Sequence, residues 1–262
     1  MNSILLGLTI LTTSINNVAS RQLRPEQRLE LSRRSLSEKQ TYKFCDTPVS
    51  RGKVEFPESI IGRAKHDFDM YSGYINITES PDYLFYWLFE SQDKDPNAPL
   101  VIWTNGGPGC TAMEGATTEH GPLVLFDMKE SCNGPQCDYS SQFSTNPYAW
   151  NRHANVLYLD QPKNVGYSFG YGDATKTSVE SGEDFVIFYN EWLKIFPEYT
   201  DKSLIIGGES YGGHYIPAWS NAILNYNELN TVEPINLAGV IIGNGCVNNT
   251  IQDVDTFIEF QH

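Results

Sequence analysis

Gly208-Glu209-Ser210-Tyr211-Gly212 stands directly after the apolar run Leu204, Ile205, Ile206, Gly207. A strand that drives into a sharp, glycine-flanked turn before a helix presents its serine hydroxyl as a nucleophile. Glycines at 208 and 212 are expected because backbone packs against backbone there, leaving no room for a Cβ and lifting Ser210 Oγ above the sheet edge. The same pattern also occurs as a plain structural turn. A second motif carries the chemistry further: Trp103-Thr104-Asn105-Gly106-Gly107-Pro108-Gly109-Cys110 follows a short apolar run, Leu100 to Trp103. When a serine attacks a carbonyl the oxygen becomes an anion, and each preorganised backbone donor aimed at it stabilises by about 3 to 4 kcal/mol. Tyr211 N–H and Gly107 N–H are the expected donors, although a Gly/Pro turn with no such task is the plainer reading of the loop alone.

Together the two motifs resemble the glycine-rich oxyanion loop and nucleophile turn of an α/β-hydrolase, and within that group they are similar to the serine carboxypeptidase family. Other segments agree in order: Tyr71-Ser72-Gly73-Tyr74-Ile75, Asn146-Pro147-Tyr148-Ala149-Trp150-Asn151, Asp160-Gln161-Pro162 with Asn164-Val165-Gly166-Tyr167-Ser168, Phe196-Pro197-Glu198-Tyr199, and Ile242-Gly243-Asn244-Gly245. The likeness runs from about Cys45 to the last residue. Thr104, Thr111, Ala112 and Gly212 depart from what most members carry, without removing a catalytic group. The resemblance implies that Ser210 is the nucleophile and that Gly107 and Tyr211 form the oxyanion hole. It also implies that Trp103, Asn105, Glu119 and Glu209 hold the terminal carboxylate of a peptide or protein substrate. Two carboxyl groups beside a substrate carboxylate cannot all be ionised, so one must keep a proton and donate. Binding is then expected to weaken as pH rises, an acidic preference. From spacing alone, Glu119 and Glu209 read equally well as exposed surface charges.

The partners of the serine are harder to find. In α/β-hydrolases the acid and the histidine follow the serine in chain order, and here only Asp253, Asp255, His214 and His262 do so. His214, four residues past the serine on the expected helix, reads as packing or local hydrogen bonding. His262 is the last residue and poorly held for a base. Neither aspartate aligns with the family's acid. The elements make the same point. Tyr71 to Ile77 and Tyr83 to Glu90 read as an antiparallel pair around Ser80-Pro81-Asp82, while Leu100 to Trp103, Asn155 to Leu159, Leu204 to Gly207 and Leu237 to Ile242 are short apolar runs suited to strands buried on both faces. Helices are expected over Ser178 to Phe196, capped by Ser178 and stopped by Pro197, and over Gly213 to Asn225. The fold class is therefore α/β, an α/β-hydrolase fold with a mostly parallel sheet that has about six of its eight core strands. The two absent strands would carry the acid and the histidine, leaving Leu237 to Ile242 as an apolar edge. The chain reads as the first part of a longer protein.

A formal net charge of -14 disfavours phosphate backbones and so nucleic acid, and 262 residues suffice for one domain with a sizeable core. No apolar run past the first residues spans a bilayer. Ile4 to Leu11 followed by Val18-Ala19-Ser20 reads as a secretory signal peptide over 1–20, without the usual early basic residue. Residues 21–43 read as a flexible or propeptide-like extension and 44–262 as the partial hydrolase domain. Five cysteines suit an oxidising compartment: Cys132 and Cys137 flank Gly134-Pro135 and could close a small loop, leaving Cys45, Cys110 and Cys246. The resemblance implies that Cys110 pairs far downstream; otherwise it is a free buried thiol. Asn76-Ile77-Thr78 and Asn248-Asn249-Thr250 are glycosylation sequons. No His/Cys cluster has metal-ligand spacing and no glycine loop suits a nucleotide, so neither metal nor cofactor is expected. The expected place is the secretory pathway, extracellular or vacuolar/lysosomal; oligomeric state is open. Three functions compete: a serine carboxypeptidase working through an acyl-enzyme, an acyltransferase on the same scaffold, and a catalytically inactive peptide-binding homologue.

Overall fold

A computed structural model describes residues 49–56, 66–78, 81–125, 143–229, 233–248 and 250–255, all within one compact unit, Pro48–His262. The expected signal peptide and extension, Cys45, the Cys132/Cys137 loop and His262 lie outside the described residues. Seven strands form one sheet in the order β1-β2-β3-β7-β4-β8-β9. They are β1 (Gly52–Lys53), β2 (Met70–Asn76), β3 (Tyr83–Phe89), β4 (Leu100–Thr104), β7 (Asn155–Leu159), β8 (Leu204–Glu209) and β9 (Leu237–Gly243). β5 (Leu123–Leu125) and β6 (Phe143–Thr145) make a separate antiparallel pair. The four strands β7, β4, β8 and β9 run parallel, β3 runs against them, and β2 and β1 alternate in turn. Five of the seven strands therefore share one direction, the mostly parallel sheet expected of the fold.

Alternation along each strand divides the core into two layers, because successive side chains point to opposite faces. Leu100 and Ile102 of β4, with Leu157, Leu159, Leu204 and Ile206, face helices α1 (Ser178–Ile195) and α2 (Gly212–Asn227), which contribute Phe185, Phe188, Trp192, Ile216, Trp219 and Ile223. Val101 and Trp103 point to the other side and pack with Trp87, Phe89, Val156 and Tyr158. Each fully buried side chain of this kind contributes about 2 kcal/mol relative to exposure. Both faces of the central strands are covered, which is why those strands read as unbroken apolar runs.

One detail of the helices differs from expectation. Ser178 is the first helical residue of α1, and Thr177 is its cap: the Thr177 hydroxyl accepts from Glu180 N at 3.1 Å, while Glu180 Oε2 accepts from Lys176 N. Thr177 keeps the extended backbone a cap needs. Pro197 does stop the helix, and opens a single 3-10 turn, Pro197–Tyr199. Among the described residues β9 pairs with β8 alone and forms the expected edge, and with Val240 and Ile242 exposed it is not buried on both faces as its apolar run suggested.

Candidate active site

β4 and β8 are parallel neighbours, with Trp103 beside Gly207 and Thr104 beside Gly208. The chain therefore leaves both strands at the same, carboxyl end of the sheet, bringing the Asn105 loop against the Ser210 turn. Ser210 has φ of 52°, a left-handed conformation that costs a non-glycine residue energy and marks a turn held by its surroundings. Those surroundings are three backbone bonds: Ser210 N donates to Gly243 O at 2.9 Å, and Ser210 O accepts from Gly213 N at 3.0 Å and Cys246 N at 2.7 Å. The seryl side is exposed. The glycine rule expected at the turn holds at one end only. A Cβ on Gly208 would come within 2.9 Å of Thr104 O, whereas one on Gly212 would meet nothing within 4 Å. The crowding at the helix side falls on Gly213, 2.5 Å from Cys246 O, because the chain after β9 passes over that residue.

The loop after β4 packs backbone on backbone with this turn. A Cβ on Gly106 would lie 2.5 Å from both Glu209 O and Tyr211 N, so only glycine lets the loop close on the turn that bears Tyr211 N–H. Gly107 follows with φ of 106°. The expected oxyanion donors, Gly107 and Tyr211, thus belong to two segments in contact beside Ser210. The loop is tied down from the far side by Asp160, at the carboxyl end of β7. Asp160 Oδ1 accepts from Thr111 Oγ1 at 2.6 Å and Ala112 N at 2.8 Å, and Oδ2 accepts from Tyr167 N at 2.8 Å. Burial pushes this carboxyl above the usual carboxylate range, opposed by the same three donors.

The four residues expected to hold a substrate carboxylate come together around Asn105, which is buried. Asn105 Oδ1 accepts from Trp103 Nε1 at 3.0 Å and Gly115 N at 3.2 Å, leaving Nδ2 to donate to Glu209 Oε1 at 3.0 Å and Glu119 Oε1 at 3.3 Å. Trp103 is buried on the sheet face away from the helices, and its indole N–H is engaged by Asn105. Glu119 ends a wide π turn, Gly115–Glu119, closed by His120 N donating to Gly115 O. Burial, followed by the negative charge of Glu209 and Glu114, pushes the Glu119 carboxyl above its ordinary range. Neither glutamate is a plain surface charge.

Sequence reasoning passed over His120, which lies in the same cluster. Its ring stacks on Trp150 at 3.9 Å, meets Trp103 edge-on at 4.5 Å, and shares a 2.9 Å hydrogen bond with Tyr158 Oη through Nδ1. The one available signal was its place in Glu119-His120-Gly121-Pro122, directly after a residue already singled out. His214 packs its ring against Tyr211 at 4.5 Å on α2, in keeping with the packing expected of it. Asp253 and Asp255 fall in a π turn, Thr250–Asp255. Cys110 and Cys246 are free thiols among the described residues, and both are exposed where a free Cys110 was expected to be buried.

A family model described as serine carboxypeptidase matches residues 59–262. Carboxypeptidase Y homolog A of Leptosphaeria maculans is 41% identical over 182 residues, 70% of this chain and 30% of that protein. Carboxypeptidase Y homolog A of Emericella nidulans is 40% identical over 186 residues, 71% of this chain and 31% of that protein. Among solved structures, a prohormone-processing carboxypeptidase from Saccharomyces cerevisiae superposes with a TM-score of 0.65 at 27% identity, covering 80% of this chain and 47% of that one. The chain spans about a third of the length of the curated relatives it matches. Ser210 on its turn, the Gly107 loop and the carboxyl pair at Asn105 all lie inside the matched stretch, and the chain belongs to the serine carboxypeptidase family.

Proposed function

We propose that the protein is a serine-type carboxypeptidase of the secretory pathway that removes C-terminal residues from peptides and proteins through an acyl-enzyme, with an acidic preference. Residues 1–20 act as its signal peptide, 21–43 as an extension, and 44–262 contribute to the hydrolase domain. Ser210 Oγ attacks the scissile carbonyl and gives up its proton, the oxyanion is received by the Gly107 and Tyr211 amides, the C–N bond breaks as that proton passes to the departing amino acid's nitrogen, and water hydrolyses the ester, returning a proton to Ser210 Oγ. Asn105, with Glu119 and Glu209, receives the terminal carboxylate; Trp103 acts one step back by fixing the Asn105 amide. We assign His214 no proton-transfer role, since its ring packs on Tyr211.

The observation that carries this reading is the single Asn105 amide bonded to both Glu119 and Glu209, on the two segments that meet at Ser210. Two carboxyls so close favour one shared proton and hence a donor for an anionic chain end. An acyl acceptor site for alcohols has no need of that pair. The test is incubation of the native protein with an N-blocked dipeptide and with its C-terminal amide. Free amino acid is expected from the acid and little from the amide, with Ser210→Ala lowering the rate by at least about a thousandfold. Turnover of an activated ester into an added alcohol, with no amino acid released, would instead point to the acyltransferase.

A further inference from the structure

We infer that His120 is a positioning residue for the substrate carboxylate, orienting the Glu119 carboxyl through Nε2 while Tyr158 fixes the ring's tautomer. The inference rests on the reading of Asn105, Glu119 and Glu209 as the carboxylate cradle.

His120 is nine-tenths buried, and its Nε2 has no hydrogen-bond partner among the described residues. The nearest polar atom given for it is Glu119 Oε2, at 3.8 Å. A buried, unpartnered ring nitrogen is costly unless something completes it, and catalytic contacts are commonly long before a ligand closes the site. The ring cannot turn away. Trp150 lies parallel to it at 3.9 Å and Trp103 blocks its edge, so Nε2 keeps its aim.

The hydrogen positions follow from the network. Tyr158 is fully buried, and its hydroxyl has no bonding partner among the described residues except His120 Nδ1. With a proton on Nδ1, the Tyr158 hydroxyl hydrogen would be orphaned in the core, and orphaned buried donors are rarer than under-used acceptors. Tyr158 therefore donates to Nδ1, and the ring's one proton sits on Nε2. Burial holds the ring neutral, with its pKa down to about 4. The groups facing this side are Tyr158 and Glu119, with Glu209 and Glu114 beside Glu119. Asn105 Nδ2 already donates to Oε1, and when a bound carboxylate closes the site Nε2–H is the donor aimed at a lone pair of Oε2, now 3.8 Å away. With both oxygens engaged in the closed site, the plane of the Glu119 carboxyl is fixed and its proton is left to the incoming carboxylate.

Steady-state kinetics of the native protein against His120→Phe tests this, because phenylalanine keeps the stack on Trp150 and removes both nitrogens. KM for the blocked dipeptide acid is expected to rise about tenfold, with kcat within about twofold and the rate on the C-terminal amide unchanged, as loss of one hydrogen bond to a charged or shared-proton group implies. Tyr158→Phe, which deletes one buried oxygen and frees the tautomer, is expected to raise the same KM about threefold and decides the matter should His120→Phe fail to fold. An unchanged KM, or equal losses on acid and amide, would overturn the inference. Calorimetric binding of the acyl amino acid separates the two levels. If the unsubstituted protein neither binds it nor cleaves the dipeptide, the cradle reading fails and this inference with it; if it does both and the variants match it, this inference alone fails.

Discussion

Asn105 couples two glutamates that lie 90 positions apart in the chain, and the consequence is a pH dependence of substrate binding. Burial, then Glu209 and Glu114, raises the Glu119 pKa, so the carboxyl keeps its proton to higher pH than an ordinary glutamic acid and loses it as pH rises through that raised value. The protonated form donates to a substrate carboxylate; the ionised form repels it. KM for a free-acid peptide should therefore be low and flat at acidic pH and climb toward neutrality as pH passes the raised Glu119 value. Glu119→Gln, a permanent neutral donor, should flatten that climb while keeping KM near its acidic value. If KM rises with pH as steeply in the variant, another group is responsible. Ser210, Gly107, Tyr211, Asn105 and Glu209 could be singled out because they stand in two contiguous motifs, and Glu119 only through the family resemblance; the structure brings Asn105, Glu119 and Glu209 into contact. His120 could not, because the side chains that give it meaning, Tyr158 and Trp150, arrive from other segments and only the fold unites them.

The strands were legible as elements and the turn between them less so. Continuous apolar runs betray strands covered on both faces, and the expected β4, β7, β8 and β9 match within two residues at each end. β1 is two residues long, and β5 and β6 three each, too short for alternation to be read. In the Gly208 to Gly212 turn the sequence treats both glycines alike, and the structure separates them. Gly208→Ala forces a Cβ against Thr104 O and the α2 backbone and should destabilise by about 2 kcal/mol. Gly212→Ala has open space at the first turn of α2 and should be neutral or stabilising by up to about 1 kcal/mol. Urea unfolding of both variants measures the difference. Equal losses at the two positions would mean that backbone conformation, and not crowding, sets the glycine requirement.

Across the whole molecule, the parallel strands gather the functional segments at one end while two apolar layers fix the sheet from either side. β7 leads into Asp160, β4 leads into Asn105 and Gly107, β8 ends in Glu209 beside Ser210, and β9 sends Cys246 over the turn to hold Ser210 O. Among the described residues β9 forms the edge, with Val240 and Ile242 exposed, where its apolar run alone suggested a strand covered on both faces. The fold class was readable at this scale because composition, run length and motif order agree. The proton acceptor for Ser210 was not, because His214, the one histidine after the serine among the described residues, packs its ring on Tyr211. The central claim is that Ser210 is an activated nucleophile, and covalent labelling of the native protein with a fluorophosphonate, followed by peptide mass mapping, tests it directly. The expected result is one adduct, on the peptide carrying Ser210, and none in Ser210→Ala. An unlabelled protein, or an adduct on a different residue, would contradict it.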